Sequence, residues 1–157
     1  MGVREAQAAK DAIDKAYDAL EGVVRSLNPA RNEFKNSPSL DASTLVKESE
    51  ELMAFLKSGE FAGLKTHYQH VAAELISVSN ELQRRIDAIG RMIMEYEKAK
   101  SAMEEGLKQD IVLPREKVDI QDMQEHLKQT IGDAYDYAMK SLLGVLKDME
   151  PVKEQAA

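Results

Sequence analysis

Apolar residues recur along this chain at helical spacing. Residues 3–27 put Ile13, Ala16, Tyr17, Leu20, Val23, Val24 and Leu27 on one helical face. Asn28-Pro29 predicts the end of that helix, because proline drives the residue before it out of helical geometry. Turn chemistry follows in Asn36-Ser37-Pro38. Asp41 is a candidate N-cap for a second helix over 41–57, whose apolar side carries Leu45, Val46, Leu52, Met53, Phe55 and Leu56. Gly59 suits the left-handed position past a helix end.

The longest pattern starts at Phe61. Phe61, Leu64, Tyr68, Val71, Leu75, Val78 and Leu82 step 3-4-3-4-3-4, which is a heptad seam. Ile86, Ile89, Ile93 and Tyr96 extend it after a doubled four, a stutter that relaxes supercoiling. One helix over 60–105 would be ~65–70 Å long at ~1.5 Å per residue. Gly106 marks its end, and LKQDIVLPREKV reads as an extended link. Asp119 is a candidate cap for a last helix over 119–149, with Ile120, Met123, Leu127, Ile131, Tyr135, Ala138, Leu142, Val145, Leu146 and Met149 facing inward and Pro151 beyond its end.

Short connections make successive helices antiparallel neighbours. The expected fold is all-α: one domain over 1–157, an elongated antiparallel three- to four-helix bundle around a long central helix at about 60–105. The first two helices would line that rod end to end, and the last would cover its C-terminal half. Such a rod offers more apolar edge than its neighbours shield, so a protein partner is expected, in a homo- or hetero-oligomer formed by helical pairing. The residues assigned to that pairing are Phe61, Gly63, Leu64, Tyr68, Val71, Leu75, Val78 and Leu82. Met53, Met92, Met94, Met103 and Met123 read first as core filler and second as a groove for partner helices.

Composition narrows the partner. With 43% hydrophobic and 31% charged residues the chain is neither disordered nor a membrane protein. A net charge of −7 argues against nucleic acid and anionic membrane, which both need a basic field. No apolar run reaches the ~18 residues of a membrane span. Cysteine is absent, which removes disulfides, thiolate metal sites and a cysteine nucleophile. MGVREAQAAKDAIDK holds no apolar leader core, so the expected location is the cytoplasm or, by a route without a cleaved signal peptide, outside the cell.

Chemistry has few footholds. His67, His70 and Glu74 share one face if the helix is continuous, and could approach a metal with a fourth ligand from elsewhere. An exposed polar stripe is the plainer reading, as it is for Asp122 and His126. The paired Glu-x-x-His motifs of a di-iron bundle are missing. KESEE at 47–51 carries Glu48, Glu50 and Glu51 in sequence, without the contrasting environments that acid–base pairs need. Arg84, Arg85 and Arg91 are interleaved with acids and read as a salt-bridged surface. No glycine-rich phosphate loop occurs. The expectation is a protein that is not an enzyme, with no catalytic, cofactor-binding or metal residues and no cofactor.

A helix to residue 57, then Ser58-Gly59-Glu60-Phe61-Ala62-Gly63, then a long amphipathic helix resembles the helical hairpin of the W-x-G and L-x-G proteins of type VII secretion systems. The resemblance covers about residues 41–105. Phe61 stands where that family has tryptophan. The family's Tyr-x-x-x-Asp/Glu export signal is matched only by Tyr17 and Glu21, inside the first helix. What the resemblance implies is a type VII secretion-associated substrate or partner acting through coiled-coil pairing. The alternative is a coiled-coil scaffold inside the cell, a phage structural protein or an inhibitor, with no export role.

Overall fold

The computed structural model describes residues 2–108 and 114–156, and of 114–117 and 156 the backbone only. The described residues form five helices: α1 Val3–Lys35, α2 Ser43–Leu56, α3 Gly59–His67, α4 Gln69–Lys108 and α5 Pro114–Ala156. The fold is all-α.

These helices make four legs. The start of α2 meets Ala30 and Phe34 at the end of α1, and its last turns meet Asp18 to Val23, so α2 runs antiparallel to α1. Helix α3 continues that descent, with Gly63 against Ala12. The chain then reverses at Tyr68 into α4. Helix α5 runs antiparallel to both α1 and α4: Tyr17 lies beside Glu150 and Lys35 beside Asp136, while the Arg85 guanidinium sits 4.5 Å over the Tyr137 ring. Both α1 and α4 pack against α5 and against the α2–α3 leg, so they occupy opposite corners. The middle is filled by Leu20, Leu27, Leu52, Leu75, Leu82 and Leu142, all buried.

Five expected boundaries are corrected. Helix α1 does not stop at Pro29. The missing N–H and ring clash cost ~3 kcal/mol. Phe34, beyond the proline, is buried with its ring 5.5 Å from that of Tyr135, and its burial offsets the cost. Pro151 is likewise inside α5, where Lys153 lies 4.2 Å over the Tyr17 ring and Val152 packs on the core. Helix α5 starts by Pro114 rather than Asp119, a suitable first-turn position for proline, and α4 passes Gly106 to Lys108. Of the expected link, 109–113 lie outside the described residues. Asp41 sits one residue before the N-cap Ala42, and its carboxylate accepts the Ser43 N–H at 2.9 Å.

The expected rod over 60–105 is two helices. Tyr68 leaves helical geometry at φ −140° and ψ 66°. Thr66 Oγ1 donates back to the Ala62 carbonyl at 3.0 Å, a bond that competes with the helical ladder. Burial then decides the matter. Phe61 and Leu64 pack with α1 on the descending leg, while Val71 and Leu75 open the ascending one. Gly59 is not a left-handed stop either. It is the first residue of α3, and the turn is made by extended Ser58, whose Oγ accepts the Phe61 N–H at 3.3 Å and donates to the Phe55 carbonyl at 2.6 Å.

Candidate functional site

The eight residues assigned to pairing lie along α3 and α4, but the seam faces inward. Phe61 is 3% exposed, Leu75 is 0% exposed, and Leu64, Val71 and Leu82 are buried with them. Gly63, Tyr68 and Val78 are half-buried. Phe61 meets Phe55 edge to face at 5.8 Å. A Cβ on Gly63 would come to 3.5 Å from that of Ala12, ordinary contact, so the glycine sits snugly on α1. The chain's own legs cover this seam, and a partner reaches it only by opening the bundle. Phe61-Ala62-Gly63 falls inside α3, one residue-triplet after its Ser58 cap.

The other sequence candidates are scattered. The break at Tyr68 puts His67 on α3 and His70 on α4, so the H-x-x-H-x-x-x-E spacing does not define one helical face. His70 Nε2 lies 2.9 Å from Glu74 Oε1. Glu74 also meets Asp148 of α5. Burial, then the hydrogen bond and like charge of Asp148, push its carboxyl above the ordinary range, against a smaller opposing pull from His70. Among the described residues no three His, Asp or Glu side chains are grouped to hold a metal ion, and no helix is long and apolar enough to cross a membrane. Arg84 and Arg85 both pair with Glu81, and Arg91 is exposed. Asp122 and His126 are exposed on α5.

Two surfaces stand out instead. The first follows from leg length. At ~1.5 Å per residue α4 and α5 run ~60–65 Å, α1 ~50 Å and the α2–α3 leg ~35 Å. The 36–42 connector closes over α5 near Gln121 to Gln129, held there by Lys128, whose ammonium donates to the Phe34, Ser37 and Ser39 carbonyls. Among the described residues, neither α1 nor the α2–α3 leg lends a side chain to the groove that α4 and α5 form toward this end. Of this distal hairpin Ile120 is buried, while Leu107 is 47% and Val118 53% exposed. Ala99, Ala102, Met103, Ile120 and Met123 line an open groove of about 240 Å³. Two of the methionines first read as filler are therefore groove walls, and Met94 projects outward at 71% exposure.

The second surface lies between α1 and α2: a groove of about 500 Å³ with Leu20, Val23, Leu52 and Phe55 on its floor and Asp18, Glu48, Glu51 and Glu60 around it. In sequence Glu48 stands with Glu50 and Glu51 in the run KESEE, where nothing of the run itself sets their environments apart. Its signal was there to find. Leu45, Glu48 and Leu52 step 3-4 along the apolar face of α2, so Glu48 points inward while Glu50 and Glu51 point out.

Comparison of the chain with protein-family models, with curated proteins and with solved structures gives no match.

Proposed function

We propose that this is a non-enzymatic helical interaction protein that pairs with a second copy of itself through the distal hairpin of α4 and α5. The observation that carries this reading is the unequal length of the legs: two helices outrun the body and keep apolar side chains, Met103, Leu107, Val118 and Met123, at or near solvent. A lone helical hairpin cannot bury both faces of its seam, and two such hairpins together make a four-helix arrangement that can. The charges of this segment suit self-pairing. Glu95, Glu97, Glu104 and Glu105 alternate with Lys98, Lys100 and Lys108, so a like copy meets mixed charge rather than one repelling sign.

Sedimentation velocity over a hundredfold concentration range tests it. The expected result is a concentration-dependent dimer that Leu107→Lys together with Val118→Lys converts to monomer, with an unchanged thermal melt. A wild-type protein that stays monomeric throughout overturns the reading. The narrower form, a type VII secretion-associated substrate or partner, is supported by the Phe61-Ala62-Gly63 resemblance alone. Its test is export: appearance of the tagged chain in the medium of a strain with such a system, and its retention when the system's ATPase is removed.

A further inference from the structure

The α1–α2 groove carries chemistry that the self-pairing reading does not use. Glu48 is 7% exposed, in the stripe that also buries Leu45, Ser49 and Leu52. Among the described residues its carboxylate has no hydrogen-bond or ion-pair partner, and it lines the groove. Among the described residues Ser49 Oγ is the one fully buried side-chain oxygen without a partner, so the Glu48 carboxylate, its stem packed in the stripe, keeps its oxygens at the groove and open to a donor that enters it. Three further carboxylates, Asp18, Glu51 and Glu60, surround the same space, against one cation, Lys47. Gly22 opens the α1 wall: a Cβ there would meet nothing within 4 Å.

The geometry points to a binding site for a basic segment of a protein partner, with one arginine or lysine head reaching Glu48 and apolar flanks lying on Ala19, Val23 and Phe55. Three observations select that occupant. The carboxylates are spread around the groove, not grouped as metal ligands, so a single small cation cannot satisfy them together. The floor is apolar, which suits the long hydrocarbon stem of arginine or lysine and a neighbouring aliphatic side chain. The chain's net charge of −7 draws a cationic segment in from a distance.

Fluorescence anisotropy with a labelled amphipathic peptide of arginine and leucine tests the site, in physiological salt to screen the general acidic field. Glu48→Gln is expected to weaken binding about thirtyfold or more, as removal of one member of a buried charge pair does. The same substitution is expected to leave the melt of the free protein close to that of wild type, which separates lost binding from lost folding. Gly22→Leu, which improves helix propensity and fills open space, is expected to keep the fold and block the peptide. Asp133→Asn, on the exposed face of α5, is the remote control and is expected to change nothing. Equal binding by wild type, Glu48→Gln and Gly22→Leu would overturn the proposal, showing only a diffuse acidic surface. Displacement of the peptide by spermidine at comparable concentration would also overturn it, in favour of a small-polycation site. Sedimentation of the Glu48→Gln protein keeps this result separate from self-pairing, which the substitution leaves unchanged.

Discussion

Lys128 holds the junction between the four-legged body and the distal hairpin, and removing its charge has a calculable cost. Its ammonium lies 3.2 Å from the Ser39 carbonyl, donates also to the Phe34 and Ser37 carbonyls, and sits 3.8 Å from the centroid of the Phe34 ring. The Phe34 carbonyl is in the last turn of α1, where the helix dipole favours a cation. Lys128→Met keeps most of the hydrocarbon stem and removes the donor. Charged hydrogen bonds contribute ~1.5–3 kcal/mol each, but Lys128 is only half-buried and water replaces part of what is lost, so ~3 kcal/mol in total is the expected loss. For a chain of this size that is a fall of about 6–12 °C in melting temperature. Circular dichroism reads the melt, and amide hydrogen exchange over 36–42 reads the connector, which should exchange faster. Lys140→Met, on the exposed face of α5, should stay within ~0.5 kcal/mol of wild type. A Lys128→Met protein that melts within 2 °C of wild type with unchanged exchange would show that the ammonium contributes nothing to this junction.

Phe61→Ala should cost ~3–5 kcal/mol by denaturant titration, since the ring is buried against Phe55. A change under ~1 kcal/mol would return Phe61 to the role of an exposed docking residue. Glu74→Gln should stabilise the protein at neutral pH. The folded-state pKa of Glu74 is raised, by burial first and then by Asp148, so the native state holds its proton more tightly and stability falls as pH rises from the ordinary carboxylate range through the raised value. The advantage of glutamine should therefore shrink on acidification as Glu74 protonates; melts at a series of pH values check this, and a gap that widens toward acid would contradict the sign.

The sequence pattern identified which faces are buried better than it identified where helices begin and end. Phe61, Leu64, Val71, Leu75 and Leu82 are all core, as a seam requires. The spacing is blind to the break at Tyr68, because a one-residue interruption preserves the 3-4 alternation on either side while reversing the chain. Pro29 and Pro151 misled for the opposite reason: a local rule was outweighed by contacts with partners far away in sequence, Tyr135 for Phe34 and Tyr17 for Lys153. The role of Lys128 depends on carbonyls some ninety residues away and has no local signature. Glu48 was legible from its position between Leu45 and Leu52, and was lost only by reading it with its charged neighbours in KESEE.

The inward seam also decides how association and folding relate. Pairing through Phe61, Leu64, Val71, Leu75 and Leu82 would require these five side chains to leave their own bundle first. At ~1.5–3 kcal/mol each, their exposure costs ~8–15 kcal/mol, comparable with the whole stability of ~5–15 kcal/mol expected for a domain. A dimer built on that seam would dissociate and unfold in one transition. A dimer built on the distal hairpin leaves the seam closed, because the α1 and α2–α3 legs end before the groove of Met103, Ile120 and Met123 begins. Its two transitions separate on dilution: the oligomer is lost first, while the helical signal and the melt of the body persist.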